Sequence, residues 1–102
     1  MKSSIDNYKK IYLVGIGGVG MSGLALLLHD RGHTVLGSDI RGSSHCRRLK
    51  ELGITTFIGH RCENVPKDTD ALVYSSAVSA NNPEVQEAVR RGLALFKRGA
   101  LL

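Results

Sequence analysis

The segment Gly15-Ile16-Gly17-Gly18-Val19-Gly20 constrains this chain more than any other stretch of its sequence. It follows the β-rich run Ile11-Tyr12-Leu13-Val14. It precedes a segment, Val19 to Arg31, in which Met21, Leu24, Ala25 and Leu28 recur at helical spacing. A G-x-G-x-x-G between a strand and a helix predicts a tight βα turn that can cradle a phosphate. Gly15 is expected to permit the turn, Gly17 to let the main chain approach a pyrophosphate, and Gly20 to let helix and strand pack closely. Amides at the helix start would face the phosphates, with the helix dipole adding to the attraction. The same glycines could instead serve only to tighten the turn.

The rest of the chain repeats the alternation. Gly32 is placed to stop the first helix, and His33 to Gly37 reads as a second strand ending in Ser38-Asp39. Ser43 or Ser44 can cap a second helix, with Cys46, Leu49 and Leu52 at spacing three and Gly53 at its end. Ile54 to Ile58 is a third strand, residues 59–69 a polar connection containing Pro66, and Ala71 to Tyr74 a fourth strand. Asn82-Pro83-Glu84 opens a third helix: Asn as N-cap, Pro at the first helical position, and an acid facing the dipole. Val85, Ala88 and Val89 are expected to form its apolar face and Gly92 to close it, before a short fifth strand from Leu93 to Phe96. Strands alternating with helices across short connections predict an α/β fold, a Rossmann-like doubly wound parallel sheet of order 3-2-1-4-5 with helices on both faces. Ligands of such sheets sit beyond the carboxyl ends of the strands, here between strands 1 and 4.

Length and composition narrow the function. A chain of 102 residues, 42% hydrophobic and 23% charged, fits one globular domain spanning residues 1–102. Charged residues interrupt every apolar run before it could span a bilayer, and MKSSIDNYKK has no signal-like apolar core. Two cysteines, Cys46 and Cys62, are too few for a disulfide framework, so a cytoplasmic protein with free thiols and no membrane partner is expected. Fourteen Lys and Arg against nine Asp and Glu leave a net +5, which suits an anionic ligand. The bases are scattered pairs, and five aromatics without Trp make no base-stacking platform, so no nucleic-acid partner is expected. His45, Cys46, His60 and Cys62 lack metal-ligand spacing, and no metal site is expected.

Six further residues, in three places along the chain, are candidates for ligand contact. Asp39 lies nineteen residues after Gly20, where dinucleotide folds place an acid on a ribose. It could equally accept from a uracil N3–H or cap the second helix, with Ser38 supplying a neighbouring hydroxyl. Ser75, Ser76 and Ala77 end the fourth strand across the crevice from the glycine loop, where small residues leave room for a pyrophosphate or a sugar; a plain polar turn is the alternative. His60 lies just past strand three at the ligand-bearing edge. No G-x-x-x-x-G-K-[ST] occurs, so these residues contain no P-loop for ATP, and no catalytic residue is expected among them. An NAD(H)-binding regulatory module, or an oxidoreductase fragment with Arg41 near a 2′-phosphate, would use the same glycines and Asp39.

Taken together, several motifs resemble the amino-terminal domain of the Mur ligases. They are Val14 through Gly23, Gly37-Ser38-Asp39, Leu49 with Leu52-Gly53, Gly59-His60, Ser75-Ser76-Ala77-Val78 and Asn82-Pro83-Glu84. The similarity runs over residues 9–102 and is greatest to the members that join L-alanine to UDP-N-acetylmuramate in peptidoglycan synthesis. The resemblance implies a domain that holds the UDP part of that substrate. The amides of Gly17, Gly18, Val19 and Gly20 would meet the pyrophosphate, and Ser38 and Asp39 would lie by the uridine. His60 would sit at the rim near uridine or pyrophosphate, and Ser75, Ser76 and Ala77 along the phosphates and sugar. In the family, ATP and Mg2+ serve acyl-phosphate formation on the muramoyl carboxylate, which the amine of L-alanine then attacks. The domains for ATP and the amino acid would follow Leu102, leaving this piece unable to catalyse alone. Arg98-Gly99-Ala100 departs from the family pattern in having Gly where Ala is usual.

Overall fold

A computed structural model describes residues 4–101. Its single sheet has five parallel strands in the order β3-β2-β1-β4-β5, as the sequence predicts. The strands are β1 (Lys10–Val14), β2 (Thr34–Asp39), β3 (Thr55–Ile58), β4 (Ala71–Tyr74) and β5 (Ala94–Lys97). The helices are α1 (Val19–Asp30), α2 (Ser44–Glu51) and α3 (Pro83–Arg91). Short 3-10 turns cover Ser4–Asn7, Cys62–Asn64 and Arg98–Leu101.

The central strand β1 is buried on both faces, which explains its unbroken apolar run. Ile11 and Leu13 face a core shared with Met21, Ala25 and Leu28 of α1 and Leu49 of α2. Tyr12 and Val14 face a second core with Leu36, Leu72 and Val85 and Ala88 of α3. The chain runs outward from β1 to β3 with α1 and α2 on one face. It then crosses to β4 through the polar connection and runs outward again with α3 on the other face. This reversal leaves β1 and β4 adjacent, paired from Ile11↔Ala71 to Val14↔Tyr74, with their loops diverging at the carboxyl edge.

Local signals account for most boundaries. Ser43 caps α2 by accepting from the Cys46 N–H at 3.2 Å. Asn82 caps α3 by accepting from the Glu84 N–H at 2.8 Å, with Pro83 at the first helical position. Gly32 follows the α1 cap residue Arg31 with φ +93°, a conformation that favours glycine.

Two expectations about helix faces are corrected. Val89 is exposed, and the buried face of α3 is Glu84, Val85 and Ala88. Leu52 is also exposed: it is the cap residue of α2, where the chain is already turning toward β3.

Candidate functional site

At the carboxyl ends of β1 and β4 lies a crevice of about 380 Å³. Gly15, Gly18, Asp39, His60, Ser75 and Ala77 line it, together with Ile40, Val78, Ser79 and Asn82, which the sequence did not mark as ligand contacts. A wider, more open depression of about 840 Å³ lies at the opposite edge, among Asp6, Tyr8, Arg31 and His33. The carboxyl edge is the ligand edge of this architecture, because there the strand order reverses and the loops part.

The glycine loop is fixed by main-chain bonds to its neighbour strand. The N–H groups of Gly15 and Ile16 both donate to the Ser38 carbonyl, at 2.8 and 2.9 Å. Gly15 has φ +84°, and a Cβ there would press on the Ser75 Cβ at 3.2 Å, so its glycine serves both the turn and the crevice wall. At Gly17 the close approach comes from within the protein. Its N–H donates to Asp39 Oδ2 at 2.9 Å, and a Cβ would lie 2.7 Å from Cys46 Sγ and 2.9 Å from that same oxygen. The Gly18 N–H donates to the Gly15 carbonyl at 3.1 Å. The amides of Val19 and Gly20, at the start of α1, have no acceptor among the described residues. With the Met21 N–H, they are the helix-start amides left unpaired. A Cβ on Gly20 would meet the Arg98 guanidinium at 3.0–3.1 Å, so this glycine makes room for an arginine beside the helix start.

Asp39 divides its carboxylate between the loop and the following turn, with Oδ1 accepting from the Arg41 N–H at 3.2 Å. Ser75 Oγ accepts from the Ala77 N–H at 3.1 Å and shapes the opposite wall. Ser76 is exposed and does not line the crevice. Ser38 lies beneath the crevice, fully buried, with its hydroxyl directed inward.

What Ser38 meets there is a feature the sequence hid. Glu84 is fully buried and accepts from the Tyr12 hydroxyl at 2.7 Å, the Ser38 hydroxyl, the Arg61 N–H at 3.2 Å and Asn64 Nδ2 at 3.1 Å. His60 Nδ1 lies 2.8 Å from Ser38 Oγ and 3.3 Å from Glu84 Oε1. Burial, and then the bond to Glu84, push the Tyr12 phenol well above its ordinary range, so it stays a donor. In the sequence Glu84 reads as a dipole partner, since an acid after Asn-Pro is what a helix start favours. Only β1, β2, the polar connection and α3 in register show that it is a buried hub.

Residues 10–102 match the Mur ligase family, catalytic domain. The UDP-N-acetylmuramate–L-alanine ligase of Aquifex aeolicus is 46% identical over 97 residues, which are 95% of this chain and 21% of that protein. The crystal structure of UDP-N-acetylmuramate–alanine ligase from Thermotoga maritima superposes with a TM-score of 0.85 at 36% identity, covering 89% of this chain and 21% of that one. A murein peptide ligase from Psychrobacter arcticus superposes with a TM-score of 0.83 at 27% identity, covering 92% and 20%. The chain thus spans about one fifth of the length of the relatives it matches.

Proposed function

The chain belongs to the Mur ligase family, and from that premise we propose that its crevice binds the UDP part of UDP-N-acetylmuramate, within an ATP-dependent ligase that adds L-alanine in cytoplasmic peptidoglycan synthesis. The observation that carries this reading is the unpaired amides of Val19 and Gly20, which follow Gly18 in the chain, itself on the wall of the crevice with Gly15, Ser75 and Ala77. A diphosphate bound there would be held by main-chain donors and the dipole of the twelve-residue α1. Asp39 and His60, on the β2–β3 side of the crevice, would then face the nucleoside.

Among the described residues, no three His, Cys, Asp or Glu side chains converge to hold a metal ion. In this proposal the chain's part is to bind and orient the nucleotide. No helix among the described residues is long and apolar enough to cross a membrane. The NAD(H) alternative is not favoured, because the relatives over nearly the whole chain carry ligase names.

Titration with UDP-N-acetylmuramate, followed by amide shifts, tests the reading. Val19, Gly20, Gly15 and Ala77 should respond. A silent loop at millimolar ligand, or thermal stabilisation by NADH and not by UDP, would overturn it.

A further inference from the structure

Among the described residues Glu84 is the only acid that is fully buried, and five hydrogen-bonding groups converge on it. Proton counting around it puts a hydrogen on His60 Nδ1. An ionised carboxylate only accepts. Ser38 has one hydroxyl proton, and it points to Glu84 Oε1. At the 2.8 Å contact between Ser38 Oγ and His60 Nδ1, the hydroxyl must then accept and the ring nitrogen donate. The same Nδ1 proton lies 3.3 Å from Glu84 Oε1. The imidazole is thus anchored by Nδ1–H on its buried side. Nε2 has no hydrogen-bond partner among the described residues, and the ring, 16% exposed, lines the crevice.

We propose that Glu84, acting with Ser38, is a positioning residue that holds His60 in its Nδ1–H form and presents Nε2 to the ligand. Which tautomer a histidine adopts is set by the bond its other nitrogen makes. Here that bond leads to a carboxylate which the Tyr12 hydroxyl, the Asn64 amide and the Arg61 N–H hold in place. Free histidine favours the opposite, Nε2–H form, so the protein imposes the less common one. The identity of the ligand rests on the nucleotide reading above; the tautomer does not.

Long-range 1H–15N spectra of the unliganded chain at about pH 8, above the ordinary imidazole range, read the tautomer directly. Nδ1 should be pyrrole-like and Nε2 pyridine-like, and Nε2 should move on addition of UDP. In Glu84→Gln the amide replaces an accepting oxygen by a donor, and the Nδ1–H preference should be lost. That variant should bind UDP about tenfold more weakly than the parent, yet less than about twofold more weakly in a His60→Ala background, because the effect passes through His60. An Nε2–H ring in the unsubstituted chain overturns the proposal, even if Glu84→Gln does not fold. Equal losses in both backgrounds overturn it as well. If UDP fails to bind while the tautomer behaves as expected, the nucleotide reading falls and the lock on His60 stands.

Discussion

Gly17 and Asp39 are bound to each other: the Gly17 N–H donates to Asp39 Oδ2 at 2.9 Å, and the space a Gly17 side chain would need is filled by that oxygen and by Cys46 Sγ. The middle glycine of the loop is thereby required by the protein itself before any ligand arrives. Gly17→Ala forces the carboxylate and the thiol apart in a closely packed corner. It should destabilise the chain by about 1–3 kcal/mol, measured by urea denaturation. A stability equal to that of the parent would show that the corner yields freely.

A stricter case lies on β2. Gly37 is paired with Leu13 in the sheet, and a Cβ on it would overlap the Leu13 carbonyl oxygen. A backbone oxygen in a central strand has nowhere to go. Gly37→Ala should cost about 3 kcal/mol, the upper end of overpacking penalties. Gly23, inside α1, has nothing within 4 Å of the corresponding position. Gly23→Ala should instead stabilise by about 0.5–1 kcal/mol, the helix-propensity difference. Urea midpoints moving in opposite directions for the two variants would establish the contrast.

The Tyr12–Glu84 bond makes an alkaline prediction. The folded state raises the Tyr12 phenol above its ordinary value of 10.0, chiefly by burial and then by the bond to Glu84. Above that ordinary value the unfolded chain has lost a proton which the folded chain keeps, so stability falls as pH rises. The contribution is full below about pH 10. Tyr12→Phe should remove this alkaline decline while costing about 1–3 kcal/mol at neutral pH, since the buried carboxylate loses a donor. Denaturation midpoints of both proteins across the alkaline range check both halves.

The fold was legible because each of its decisions is local. The run before Gly15, the stop at Gly32 and the Asn82-Pro83 start each rest on a few adjacent residues, and right-handed crossovers then leave little choice of strand order. The crevice walls were legible for the same reason, since Gly15, and Ser75 with Ala77, follow directly on the two strands that part, although Ser76 between them does not line the crevice. Long-range relationships were not. That Gly17 is filled by Asp39 and Cys46 depends on partners more than twenty residues away. That Ser38 turns inward depends on Glu84, whose neighbours in sequence describe only a helix start.

The two thiols should differ sharply in reactivity. Cys46 is 2% exposed, whereas Cys62 is exposed and its thiol lies 3.2 Å from Glu63 Oε1. The Glu63 carboxylate accepts from that thiol and pushes its pKa up, which lowers the thiolate fraction. With iodoacetamide at about pH 8, close to the ordinary thiol pKa, Cys62 should react severalfold more slowly than free cysteine. Glu63→Gln should accelerate it, and Cys46 should be modified only on unfolding. Mass spectrometry of the time course follows each site separately.

Glu87 is held by two arginines, Arg90 at 2.7 Å and Arg91 at 2.6 Å, whose hydrogen bonds bring its carboxyl down to about 2 from an ordinary 4.5. A lowered acid contributes stability that is complete above its unfolded value and is lost as pH falls through its folded value. The parent and Glu87→Gln should therefore differ most above pH 4.5, and their denaturation midpoints should converge as pH approaches about 2. Arg91 carries the consequence further. Its other nitrogens donate to the Val65 and Pro66 carbonyls, both at 2.8 Å, fastening α3 to the connection that brings Arg61 and Asn64 onto Glu84. Releasing Arg91 from Glu87 should loosen that connection before the sheet. Amide exchange in Glu87→Gln should accordingly rise first at residues 61–66 and leave β1 and β4 protected; uniform acceleration would mean that the ion pair supports the whole fold equally.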